Sequence, residues 1–427
     1  MKSCNNRMFF QGLFVMNFAL TLGFGIVETF FTVFLRGFGA RGLTIGIAIS
    51  CYAAAKILFG PVMGTLADRL GQKTSILLSL LLLATTSLLY LFITNLTCII
   101  ILRMLQGIGF AMYRPAVVAL IGDLVGTKQR STVLGTFDIS FYTAIGTAPL
   151  FGGIIKDLWG FDGIFPSLSS LCLLALFAFL FAVHSLPQET GELFRKPGRK
   201  PVQTTRNPSV RYSSNRVFSG LLIYIFGRSC GIIVFVSFLP VLLISQLHLS
   251  GTETGIVLAS TTIITAMMLR PMGKLADCVP RKALVVAGGA AVSLLYLFIP
   301  SVNSFAEVCL LGIGIGVFSG VAQPASSAML FEESVQLGTG FALGIFNTTL
   351  NLGFVCGSLA GSLLQGFSGI SSAFYGAGII GILAVVLFSI LSKSEPVQES
   401  VEFARPIPGL HRVGPDFLKR LYSPGSK

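Results

Sequence analysis

Apolar stretches of about twenty residues, repeated from one end of the chain to the other, constrain this sequence more than any other feature. Segments near 9–35, 43–64, 74–94, 97–121, 132–155, 163–185, 217–246, 251–272, 283–301, 305–330, 339–365 and 370–392 are each long enough to cross hydrocarbon as a helix. They are too long and too uniformly apolar for the alternating strands of a membrane barrel, and only helices and closed barrels satisfy their backbone groups in lipid. Charged residues make up 11% of the 427 positions, against roughly a quarter in a soluble protein, so the chain cannot dress a globular surface for water. The expected fold is an all-α membrane protein with about twelve transmembrane helices, and the lipid bilayer is its first partner.

The net charge of +13 would suggest a nucleic-acid partner in a soluble chain. Here Lys and Arg sit in the inter-helix loops and the tail, so they report topology, and no nucleic-acid binding is expected. With the N-terminus in the cytoplasm, Lys2, Arg7, Arg69, Lys73, Lys128, Arg130, Lys274, Arg281, Lys282 and the basic run from Arg195 to Arg216 all lie inside. Only Arg36, Arg41 and Lys156 lie outside, a clear positive-inside bias. The expectation is a multi-pass protein of the cell (plasma or inner) membrane with both termini cytoplasmic. Residues 186–216 read as a basic cytoplasmic linker between two six-span halves, 1–185 and 217–392. Residues 393–427 read as a polar tail with little fixed structure. The first apolar stretch lacks the short core and small-residue cleavage site of a signal peptide and reads as a retained span. The eight Cys and three His are scattered without metal-ligand spacing, so no metal and no cofactor are expected.

The two halves align at one constant offset of 209 residues. Gly64 matches Gly273, Asp68 matches Asp277, Lys73 matches Lys282, Gly107 matches Gly316, Pro115 matches Pro324, and Asp123 matches Glu332. A parallel repeat of this kind builds a transporter from two related bundles. GTLADRLGQK, Gly64 to Lys73, resembles the signature loop of the major facilitator superfamily, with Gln72 where Arg is usual. RMLQGIGFA, Arg103 to Ala111, is similar to that family's fourth-span motif. TAPLFGG, Thr147 to Gly153, is similar to its antiporter motif, with Ala148 in place of Gly. The resemblance runs from the first span to the twelfth and is strongest toward bacterial twelve-span drug and metabolite efflux members. It implies two six-helix bundles related by the repeat. It also implies a cytoplasmic gate in which Gly64, Asp68, Arg69, Gly71, Lys73 and Asp123, with Gly273, Asp277 and Lys282 of the second copy, latch the halves together. On physical grounds alone, Gly64 and Gly71 permit a tight turn and Asp68 suits a helix N-terminus.

Ionisable groups inside hydrocarbon are costly, so those that persist face a cavity or a partner. Counting rise from the nearest helix ends puts Glu28 and Arg103 at matching depths of roughly 10–12 Å from one side. Arg114 and Asp138 match likewise, roughly 12–13 Å from the other. Lys56 and Arg228 fall near the midplane, one in each half. Asn17, Thr21, Glu28 and Thr32 form a polar stripe down the first span. Arg103, Gln106, Phe110, Tyr113 and Arg114 share a face of the fourth. Asn347, the repeat mate of Asp138, stands one turn from Asn351. These stripes read as a substrate cavity lined by Asn17, Thr21, Lys56, Gln106, Tyr113, Arg228, Asn347 and Asn351, or as polar glue between helices. The proton-coupling candidates are Glu28 with Arg103, and Asp138 with Arg114, the latter pair reading equally as a static buried ion pair.

The function expected is secondary active transport of a small molecule by alternating access, as a monomer, with protons as the coupling ion and efflux of drug-like compounds or metabolites as the direction. No nucleotide-binding loop of the G-x-x-x-x-G-K-[ST] type is present, so drive by ATP is not expected. An excess of buried cations over buried acids keeps an organic-anion permease open as an alternative. A transport-dead ligand sensor is a further one. A membrane-embedded enzyme would need a nucleophile–base or metal cluster, and the His and Cys spacing supplies none.

Overall fold

Helix is the only regular structure among the described residues of the computed structural model, which are 2–93, 95–124, 130–184 and 216–392. The expected linker, apart from Arg216, and the expected tail lie outside them. Four helices lead the chain: α1 (Lys2–Gly37), α2 (Leu43–Leu70), α3 (Gln72–Leu89) and α4 (Leu96–Leu124). A continuous helical run follows, Arg130–His184. Its 48-residue apolar part would be about 72 Å long if straight, more than twice the thickness of hydrocarbon. The run is broken at Gly160, where φ is 62° and ψ is −150°, a conformation open to glycine.

Packing against α1 shows that the chain reverses at Gly160. Asn17 of α1 meets Ser140 and Phe30 meets Lys156, a parallel course. Phe34 meets Phe165 while Gly12 meets Ala182, an antiparallel one. The two arms are therefore separate crossings, α5 (130–159) and α6 (161–184). Then come α7 (Arg216–Ser245), α8 (Gly251–Cys278), α9 (Arg281–Phe298), α10 (Phe305–Leu337), α11 (Thr339–Ser368) and α12 (Ile370–Leu391). Eleven apolar helices in the described residues thus make twelve crossings.

The helix neighbours obey the sequence repeat. In the first half α1 packs on α5 and α6, and α4 on α2 and α3. In the second, α7 packs on α11 and α12, and α10 on α8 and α9. Large apolar side chains such as Leu58, Phe92, Phe177 and Leu310 are exposed along the outside. A water-soluble surface would not carry so many; they are what is expected of a chain that spans a membrane. Lipid gives helices no hydrophobic reason to associate, so close packing and buried polar contacts hold them together.

The halves meet chiefly along two seams, α5 with α8 and α2 with α11, with a smaller contact of α1 with α7. Both use glycine to bring backbones into contact. A Cβ on Gly46 would collide with Ser362 Oγ and the Ser358 carbonyl. One on Gly255, the repeat mate of Gly46, would collide with the Pro149 carbonyl. Both contacts lie toward the face opposite the start of α1 and the end of α12, termed here the far face. Toward the terminal face α2 and α11 part, and Gly60 and Gly64 of α2 and Gly344 of α11 have open space around them.

Candidate functional site

Glu28 and Arg103 form a pair deep in the first half. Arg103 Nη2 lies 2.8 Å from Glu28 Oε2, linking α4 to α1. The two partners differ in exposure: the Arg103 side chain is 2% exposed and that of Glu28 31%. The guanidinium rests 3.6 Å from the centroid of Phe31, three residues after Glu28 on α1. Arg103 Nε is buried without a hydrogen-bond partner among the described residues. A planar, weakly hydrated cation held between a carboxylate and an aromatic face is the arrangement arginine tolerates best in an apolar site.

Below this pair an aromatic cluster joins α1, α2 and α4. Phe24 meets Phe110 edge-on at 4.7 Å, and Phe110 meets Tyr52 at 5.8 Å and Tyr113 at 6.0 Å. Gly107 permits this, because a Cβ there would stand 2.5 Å from the Tyr52 carbonyl oxygen. Lys56, one turn beyond Tyr52, places its ammonium 5.0 Å from that ring and makes no ion pair among the described residues. Anionic, cationic and aromatic surfaces thus lie within a few turns of one another, as recognition of amphipathic organic molecules requires.

Arg114 and Asp138 also come together, but differently from the static buried pair that their depth permits. Their closest approach is 3.9 Å, and the side chains are 64% and 50% exposed. They stand on the open, terminal-face side of the parting halves, with Arg114 5.4 Å from the ring of Phe141. Asn347 is exposed there too, its Nδ2 donating to the Leu343 carbonyl. Asn351 is buried, with Nδ2 donating to the Asn347 carbonyl and Oδ1 without a hydrogen-bond partner among the described residues.

Other polar residues of the stripes sit in helix packing. Asn17 is buried, donates to Ser140 Oγ at 2.7 Å and accepts from Tyr113 at 3.2 Å, tying α1 to α5 and α4. Thr21, Gln106 and Tyr113 are buried with it. In this arrangement Asn17 and Tyr113 make interhelical contacts, the second of the two roles that the polar stripes allow. Arg228 is not brought to the first-half cluster. Its Nη2 donates to Gln323 Oε1 at 2.8 Å within the second half, beside a cavity of about 20 Å³.

The residues expected to form the cytoplasmic gate lie at the terminal face. Gly71 has φ 83°, and its N–H caps α2 on the Ala67 carbonyl. Asp68 and Arg69 are exposed and make no ion pair among the described residues. The Asp123 side chain lies outside the described part, and Lys73 is partly buried at the start of α3. In the second copy, Gly273 has almost open surroundings and Lys282 is partly buried. Asp277 is bridged by Arg281 at 3.7 Å, and Arg281 also pairs with Glu332 and donates to the Ala276 carbonyl. These Arg281 contacts stay inside the second half, so they do not cross between halves. Sequence reasoning did not single out Arg281 as the residue that ties this loop to α10. The signal was present, because Arg281 is the repeat mate of Gln72 and stands where the family loop has Arg.

The halves are therefore sealed at the far face and parted at the terminal face. The family model described as Major Facilitator Superfamily matches residues 13–268 and 217–409. Among relatives, the multi-drug resistance efflux pump PmrA of Streptococcus pneumoniae is 27% identical over 372 residues, covering 85% of this chain and 90% of that protein. The multidrug resistance protein MdtG of Proteus mirabilis is 26% identical over 406 residues, covering 90% and 96%. Among solved structures, a bacterial homolog of the human lysosomal transporter Spinster, inward-facing and occupied, superposes with a TM-score of 0.72 at 13% identity, covering 90% of this chain and 96% of that one.

Proposed function

The chain belongs to the major facilitator superfamily, and we propose that within it this protein is a proton-coupled secondary transporter that expels drug-like organic compounds or metabolites by alternating access. Both termini are assigned to the cytoplasm and the working unit to the monomer, so the parted face opens inward. The observation that carries the reading is the Glu28–Arg103 pair. Its carboxylate is a third exposed while its guanidinium is walled in. Glu28 is thus the member of the pair that a proton would reach, and its arrival would cancel the charge that holds Arg103. A buried cation without its counter-ion is costly, so protonation biases the helices that carry the pair toward a different arrangement. Names of relatives that are multidrug efflux pumps support the direction and the substrate class.

Lys56, partly buried and beside Tyr52 with no carboxylate partner among the described residues, favours a second reading in which the substrate is an organic anion. One experiment tests both. Purified protein is placed in liposomes with an interior pH dye and offered a panel of lipophilic cations and aromatic anions. Efflux coupling predicts that a cationic member moves with proton movement in the opposite direction. Movement of anions alone would replace the first reading with the second, and binding without flux of any compound would overturn both.

A further inference from the structure

The seal at the far face holds a charge contact that the packing of glycines does not require. Asp157, at the far end of α5, aims its carboxylate at the N-terminus of α8 in the other half. Oδ1 accepts the Gly251 N–H at 2.7 Å, and Oδ2 accepts the Thr252 N–H at 2.7 Å and the Thr252 hydroxyl at 2.6 Å. The first N–H groups of a helix have no partner within the helix, and its dipole favours an anion there. The hydroxyl of Ser250, the residue before α8, accepts the third of them, from Glu253. Among the described residues the first two are satisfied only in trans, by the opposite half, and lose that partner whenever α5 and α8 part.

The repeat supplies an internal comparison. The mate of Asp157 is Gly366, and the mate of Gly251 is Gly42. On the α2–α11 seam these two glycines abut, with a Cβ on Gly366 standing 3.2 Å from Gly42 Cα. The N-terminus of α2 there has no side-chain cap. The backbone geometry of the two seams is thus shared, while the carboxylate is present on one alone. Close packing of the seams does not account for it.

We propose that Asp157 is the latch of the outer gate: its carboxylate holds the far face shut by capping α8 across the interface, and releasing it admits the outward-open state. The inference rests on alternating access, and its test is chosen to read conformation without substrate or proton flux, so that failure of the transport assignment and failure of the latch are distinguishable. Spin labels are placed on Arg41→Cys, in the α1–α2 loop, and Asn303→Cys, before α10, one on each half at the far face, in a background without the eight native cysteines. Distance distributions are measured in nanodiscs for the parent, Asp157→Asn, Asp157→Glu and Thr252→Val. Asp157→Asn removes the charge at constant size and should raise the ratio of long to short distances about tenfold, the effect of losing charge-assisted hydrogen bonds. Thr252→Val should move it in the same direction by less, and Asp157→Glu should hold it closer to the parent. Unchanged distances in Asp157→Asn, or an equal shift in Asp157→Asn and Asp157→Glu, would overturn the latch.

Discussion

Removing either member of the Glu28–Arg103 pair leaves the other behind, and the structure says which removal costs more. At 2.8 Å and an effective dielectric of about 20, the pair attracts with roughly 6 kcal/mol, most of it offset by desolvation. Glu28→Ala leaves a cation that is 2% exposed and cannot reach water. The expected cost is about 3–5 kcal/mol, the range for an uncompensated buried charge. Arg103→Met leaves a carboxylate that is 31% exposed and can hydrate, while the methionine stem keeps contact with Phe31. Its cost should be about 1–2 kcal/mol, including the lost contact of cation with ring. The double variant should be more stable than Glu28→Ala alone, because it removes the stranded charge. The assay is reversible unfolding of the four purified proteins in mixed micelles, read as a double-mutant cycle. Strict additivity, or a larger loss in Arg103→Met than in Glu28→Ala, would refute the asymmetry of burial on which the reasoning stands.

Breaking the pair of Arg114 with Asp138 should behave in the opposite way: it is long and solvated, so Arg114→Gln should change stability by less than about 1 kcal/mol in the same assay. Arg281→Gln should detach the α8–α9 loop from α10, giving faster proteolysis at that loop with membrane insertion retained, since its contacts with Asp277, Glu332 and Ala276 are lost together. Asp68→Asn should slow transport cycling while leaving expression intact, checked by flux beside membrane yield, because an exposed loop charge adds little stability yet biases a two-state equilibrium. An impermeant thiol reagent added to intact cells should label Asn303→Cys and spare Lys196→Cys; the reverse pattern would invert the assigned topology.

The twelve crossings were legible because each needs a long apolar run, and the division of Arg130–His184 was legible from the polar, glycine-bearing turn at 156–163. The repeat was legible as a constant offset, and the structure repeats it in helix neighbours and in the Gly46 and Gly255 seams. Pairing of Glu28 with Arg103, and of Asp138 with Arg114, followed from equal depth, which helix rise converts directly into contact height. Depth carries no information about which side of a helix faces water. That is why Asp138 with Arg114 read equally well as a buried pair, and why the stripe carrying Asn17 read either as cavity lining or as polar glue. Residues whose role depends on a partner in the other half were hidden for the same reason. Asp157 looks like a loop acid until α8 is placed opposite it.

The claim that Glu28 couples proton movement to transport is tested most directly by separating gradient-driven from exchange transport in one variant. Wild-type protein and Glu28→Gln are reconstituted into liposomes and given either an imposed pH gradient or equal substrate on both sides with label on one. Glutamine keeps size and a hydrogen-bond acceptor for Arg103 but cannot take up or release the proton. The account predicts that wild type accumulates substrate against its gradient when pH differs across the membrane. Glu28→Gln should lose that accumulation while still exchanging labelled for unlabelled substrate. Undiminished pH-driven accumulation by Glu28→Gln would contradict the account.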